Sequence, residues 1–159
     1  RNKSFNDLDD LADLPRTLHT EVDLFLHKET LKKVSLFKDT DTVFLSALVK
    51  MLKPIICAPG DIIVHEGELG KEMYFISRGS IEIFQEETGE IFAQLESGNF
   101  FGEIALLFSE KRIANVRAST YCDLFSLNSE DFALVLKDYP EIARKILQIA
   151  KERYKSHHN

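Results

Sequence analysis

Residues 100–120, FFGEIALLFSEKRIANVRAST, carry the groups best suited to holding a small anion. Gly102 lets the backbone turn sharply or approach a ligand closely. Glu103-Ile104-Ala105-Leu106-Leu107 is long enough for one or two helical turns. The start of such a helix presents free N–H groups and the positive end of its dipole, and so attracts an anion. Arg112 is expected at the head of the next strand, the alternating run Ile113 to Arg117. Its planar guanidinium can grip the same anion bidentately if that anion is a phosphate. Glu103 has no reason to face a phosphate. It makes sense as the acceptor for a neutral sugar hydroxyl, the role an acid takes toward ribose in dinucleotide-binding folds. The combination asks for a small phosphorylated sugar.

The elements that must position these groups divide into two kinds. All seven glycines lie between Gly60 and Gly102. Short β-rich runs surround them: Asp61–His65, Met73–Ile76, Ile81–Phe84, Ile91–Leu95, Ile113–Ala118 and Cys122–Leu127. With Pro59-Gly60, Thr88-Gly89 and Ser97-Gly98 as turns, this pattern predicts an antiparallel β-roll, jelly-roll-like. The flanks are helical. Leu8, Leu11 and Ala12, then Leu18, Val22, Phe25 and Leu26 repeat at helical spacing on either side of Pro15. A brief helical piece ends at Val34-Ser35-Leu36-Phe37, and Val43, Phe44, Ala47, Leu48, Met51 and Leu52 mark a longer helix stopped by Pro54. After the roll, Asn128 offers a capping side chain for a helix through Lys137, and Pro140 suits the first position of a final helix. The fold class is therefore α+β.

Composition excludes several functions. The 159-residue, 44% apolar chain can bury the core of one domain. Its apolar runs fall short of the ~18 residues that span a bilayer, and no secretory leader opens it, so a water-soluble piece is expected. A net charge of −6 argues against a nucleic-acid surface. Cys57 and Cys122 form no CxxC pair and are expected to be reduced and buried. His65 is the one histidine in the roll, which leaves no clustered metal ligands, and no nucleophile–histidine constellation stands out. An enzyme is not expected.

The stretch Phe101–Leu107 followed by Arg112–Ala118 resembles the phosphate-binding cassette of cyclic-nucleotide-binding domains. Pro59-Gly60-Asp61, Gly67-Glu68-Leu69-Gly70 and Met73–Gly79 are similar to the glycine-marked roll of that family. Leu14–Leu18, Leu31–Phe37, Thr120–Leu124 and Asp138-Tyr139-Pro140 extend the likeness to cyclic-nucleotide-gated and hyperpolarisation-activated cation channels.

The resemblance implies that residues 1–40 end a linker from a channel pore, and that residues 41–159 form the binding domain. Within it lie a cassette at 101–114 and C-terminal helices at 129–155, the last acting as a lid. Arg112 would pair with the cyclic phosphate, with Gly102 and the N–H groups of Ile104 and Ala105 beside it and Ile113 and Ala114 closing the cassette. Glu103 would accept from the ribose 2′-hydroxyl, Ile83 and Leu95 would wall the purine, and Arg153, on the same helix face as Ile142, Ile146 and Ile149, would reach it. The implied ligand is cyclic AMP, with cyclic GMP as the alternative and no further cofactor. The implied setting is a homotetrameric channel at the cytoplasmic side of the plasma membrane, the isolated piece being able to stay monomeric. One departure matters: where many such channels place a threonine after the cassette arginine, this chain has Ile113. That favours cyclic AMP.

Blander readings stay open at this point. Glu103 could simply favour a helix start, Arg112 could be a solvated charge, Ile83 and Leu95 could be core, and Arg153 could answer a helix dipole. The domain could also belong to a transcription factor or a kinase regulatory subunit, or serve assembly without binding.

Overall fold

A computed structural model describes residues 16–158 of the chain. The helix expected around Leu8, Leu11 and Ala12, and the Leu14-Pro15 end of the linker motif, lie outside the described residues. Helix α1 spans Arg16–Leu31, a 3-10 turn occupies Ser35–Phe37, and α2 spans Thr42–Met51. Asp41 starts α2 by accepting from the N–H groups of Val43 and Phe44, at 2.5 and 3.2 Å. The roll follows as β1 (Lys53–Cys57), β2 (Ile62–Val64), β3 (Glu72–Arg78), β4 (Ser80–Phe84), β5 (Ile91–Glu96) and β6 (Phe100–Phe101). A short helix α3 (Glu103–Leu107) precedes β7 (Asn115–Ala118) and β8 (Cys122–Asn128). Helix α4 (Ser129–Asp138), capped by Asn128 as expected, and α5 (Pro140–His158) complete the order. Among the described residues no helix is long and apolar enough to cross a membrane.

The strands form two antiparallel four-stranded sheets, ordered β1-β8-β3-β6 and β2-β7-β4-β5. The first sheet is covered on both faces. Tyr74 and Ile76 of β3 pack into the roll with Cys57, Ile81, Phe101 and Leu124. Their neighbours Met73 and Phe75 pack instead against the helices, with Leu31, Phe37, Phe44, Leu48, Phe132 and Ile146. Successive strand residues point to opposite faces, so a strand buried on both sides is apolar throughout.

Several sequence expectations are corrected. Strands β1 and β6 were hidden. Pro54, read as a helix stop, also lies inside β1, where it is tolerated because β1 is an edge strand. β7 begins at Asn115, so Arg112, Ile113 and Ala114 precede the strand rather than belonging to it. The backbone there pairs with a loop: Arg112 N–H donates to Glu68 O, and Gly67 N–H to Arg112 O, both at 2.8 Å. The helical faces also shift. Val43 is 73% exposed while Leu45 and Val49 are buried, and Phe25 and Leu26 face solvent while Leu31 enters the core.

Candidate functional site

Gly102 is the hinge of the site. It ends β6 with φ +85°, in the left-handed region, and is followed at once by α3. A side chain there would meet the Arg112 guanidinium at 3.0 Å as well as a strained backbone. Gly70 clears the other side: a Cβ on it would lie 2.5 Å from Ala105 Cβ and 3.3 Å from Arg112 Nη1. Between these glycines the Arg112 side chain is folded inward and 8% exposed. Its Nη1 donates to Gly102 O at 2.8 Å and its Nη2 to Glu72 O at 2.7 Å. Burial pulls this guanidinium below its ordinary pKa, with Tyr74 and Glu72 opposing the shift, yet an arginine stays charged.

Glu103, on the first turn of α3, is 1% exposed. Its Oε1 accepts from Arg153 Nη1 at 3.0 Å, and its Oε2 is buried without a hydrogen-bond partner. Burial pushes its carboxyl above the ordinary value, and the nearby Arg153 guanidinium counters only part of this. A buried acceptor left unpaired is costly, and a hydroxyl donor would answer it. Arg153 also donates to Phe100 O at 2.7 Å and lies over the Phe100 ring, 4.7 Å from its centroid.

These groups open into one cavity of about 390 Å³, within the range of ~300–1,000 Å³ usual for small-molecule sites. Of the residues singled out from sequence, Gly102, Glu103, Ile104, Ala105, Arg112, Ile113, Ala114, Ile83, Leu95 and Arg153 all line it. Ile149 does not; it packs against the helical core. Sequence reasoning missed Phe92 and Ala93 of β5, and Glu152 and Ser156 of α5, which also line the cavity. It also missed Asn115. This side chain is 2% exposed, accepts from Glu66 N–H at 2.6 Å and donates to Glu86. Asn115 thereby ties β7 to the loop whose Gly67 and Glu68 hold the Arg112 backbone. An asparagine in a strand is disfavoured, and that signal was available.

Such a roll, in which a buried arginine and a carboxylate with one unpartnered oxygen both line one cavity, defines a ligand-binding domain. Residues 55–139 match the cyclic nucleotide-binding domain family. The chain belongs to that family, which is one of ligand binding and not of enzymes. It is 37% identical over 152 residues to the human "Cyclic nucleotide-gated channel alpha-3", a match covering 92% of this chain and 22% of that channel. The chain thus spans less than a quarter of this relative. Among solved structures it is similar to the regulatory domain of Toxoplasma gondii PKA with cAMP (TM-score 0.76, 24% identity, 91% of this chain and 55% of that one). The regulatory subunit of a cAMP-independent protein kinase A from Trypanosoma brucei is similar too (TM-score 0.73, 23% identity, 86% and 52%). At these identities the two structures share the fold.

The electrostatics of Glu103 give a pH prediction. Its folded-state pKa is raised above the ordinary 4.5, so its contribution to stability is fully present below that value and is lost as pH rises through the raised one. Glu103→Gln lacks this titration. Across that window the unaltered chain should lose Tm relative to the variant as pH rises; a Tm difference that does not change with pH would contradict the account.

Proposed function

We propose that this domain binds a cyclic nucleotide in the cavity, with cyclic AMP favoured over cyclic GMP, and that binding is coupled to the gate of a tetrameric cation channel. The supporting observation is the co-burial, in one cavity, of the Arg112 cation and the unpartnered Oε2 of Glu103. A phosphate answers the first and a neutral sugar hydroxyl the second. In this reading Arg112 takes the cyclic phosphate, the N–H groups of Ile104 and Ala105 share its charge, and Glu103 accepts from the ribose 2′-hydroxyl. Ile83 and Leu95 pack against the purine. Ile113 brings no hydroxyl to the site, and an extra hydrogen bond to guanine is therefore lacking.

The likeness to the human channel covers 92% of the chain, so it takes in the helical flank as well as the roll. The kinase regulatory domain covers as much of the chain but at 24% identity against 37%, which favours a channel over a kinase regulatory subunit. In the full-length protein, residues 1–40 would join the domain to the pore on the cytoplasmic side of the plasma membrane. Helix α5 is the moving part. Its Arg153 already touches the cassette through Glu103 and Phe100, so a ligand that engages Glu103 changes what Arg153 can hold and lets it turn to the purine. The nucleotide can shift the gate only by as much as it binds the closed-lid state more tightly.

Calorimetric titration tests the binding claim. Losing one partner of a buried charge pair costs roughly 2–5 kcal/mol, so Arg112→Ala should remove most of the cyclic AMP affinity. Equal binding by the variant would refute the phosphate role, and tighter binding of cyclic GMP than of cyclic AMP by the unaltered chain would refute the preference. For the lid, amide exchange in α5 should slow when cyclic AMP is added. Unchanged exchange there, with binding intact, would exclude closure.

A further inference from the structure

Cys57 and Cys122 lie far apart in the sequence and meet in the fold. Cys57 ends β1, Cys122 opens β8, and the register of the two strands pairs them directly, Cys57↔Cys122. Directly opposite residues of an antiparallel ladder hold their Cα atoms about 4.5–5.5 Å apart, inside the roughly 4.4–6.8 Å that a disulfide bridges. Both side chains enter the same core cluster, with Ile76, Ile81, Ala118 and Leu124. Both are free thiols, 6% and 2% exposed.

The surroundings permit a bridge. The Cys122 thiol donates to Ser80 O at 3.2 Å, and the same carbonyl accepts from Ser119 N–H at 2.9 Å. Losing the thiol proton therefore leaves Ser80 O paired. Burial, with Cys122 nearby adding to it, raises the pKa of the Cys57 thiol, which keeps it protonated and slow to react while the strand is closed. Access comes from the sheet edge. β1 is an edge strand whose neighbour is β8, so its last residue can part from Cys122 by local opening without breaking a second ladder.

We propose that Cys57 and Cys122 form a reversible cross-strand disulfide, a modification site at which hydrogen peroxide braces the roll. In the open state the Cys57 sulfur attacks the peroxide: an S–O bond forms, the O–O bond breaks, and the departing hydroxide takes the thiol proton as water. This sulfenic acid is polar and disfavoured in an apolar core. On reclosing, the register sets it opposite Cys122, whose sulfur forms the S–S bond and displaces the hydroxyl as a second water. The two thiols give up two electrons and two protons, and one peroxide takes up both. The bridge closes residues 57–122 into a loop and constrains the unfolded state. Neither cysteine is among the residues that line the ligand cavity, so the ligand contacts stay in place.

The 159-residue chain is treated with hydrogen peroxide, denatured and alkylated, and its intact mass and tryptic peptides are read. The expected product is a single chain lighter by two hydrogens, closed to alkylation, with one peptide pair joined through Cys57 and Cys122. Its Tm should rise by several degrees and fall back when a reductant is added. Cys57→Ala and Cys122→Ala, each compared with its own untreated form, should show no rise. Alkylation of both thiols after peroxide, oxidation of Cys57 alone with no joined peptide, or a bridge between two chains would overturn the proposal. A joined peptide with an unchanged Tm would overturn the brace.

Discussion

Burying the Arg112 guanidinium is the constraint around which the domain is arranged. Removing a charge from water is expensive unless polar partners replace its hydration. Here the hydrogen bonds go to two main-chain carbonyls, Gly102 O and Glu72 O, which orient the group without neutralising it. Reaching those carbonyls requires the backbone to come very close, and Gly70 and Gly102 both supply that closeness by lacking a side chain. The loop at 67–68 then holds the main chain of Arg112, and Asn115 fastens the next strand to the same loop. The roll can thus be seen as a rigid frame that keeps one cation buried and aimed into a cavity.

The second group, Glu103, links this frame to the last helix. The part of α5 up to Ala150 is fixed by Ile142, Ile146 and Ala150, all deeply buried. The part beyond Ala150 touches the cassette and its neighbours through a few polar and aromatic contacts. Arg153 bonds Glu103 and Phe100, while Tyr154 donates to Glu110 at 2.6 Å and its ring stands 4.9 Å from Phe108. Hydrophobic burial secures one end of the helix, and exchangeable contacts secure the other. In the proposed reading, a ligand that engages Glu103 would act on the exchangeable end.

Much of this was legible in the sequence because the key residues are local. Gly102, Glu103 and Arg112 sit in one short segment, and their chemistry is readable from type and spacing. The glycine-marked turns revealed most of the strands for the same reason. What stayed hidden depends on contacts far apart in the chain. β6 is two phenylalanines, one facing the helices and the other the roll, so no alternation could announce it. β1 was masked by Pro54, whose tolerance follows only from the strand's place at a sheet edge. Arg112 was expected on a strand because Ile113-Ala114-Asn115-Val116 reads as one, but pairing to the 67–69 loop claims the backbone first. Ile149 shares the spacing of Arg153, yet the core takes it. The register jump that leaves Phe92 between the Ile83↔Ala93 and Phe84↔Ile91 pairs is a property of two strands together and has no signature in either alone.

The central claim is that the unpartnered Oε2 of Glu103 awaits a sugar hydroxyl, and the most direct measurement compares cyclic AMP with 2′-deoxy cyclic AMP on the unaltered chain and on Glu103→Ala. A hydrogen bond to a charged group contributes about 1.5–3 kcal/mol. The account predicts that deleting the hydroxyl weakens binding by that order in the unaltered chain and by little in the variant, since the two changes remove the same contact. Equal losses in both proteins would show that the hydroxyl is met elsewhere, and would contradict the account.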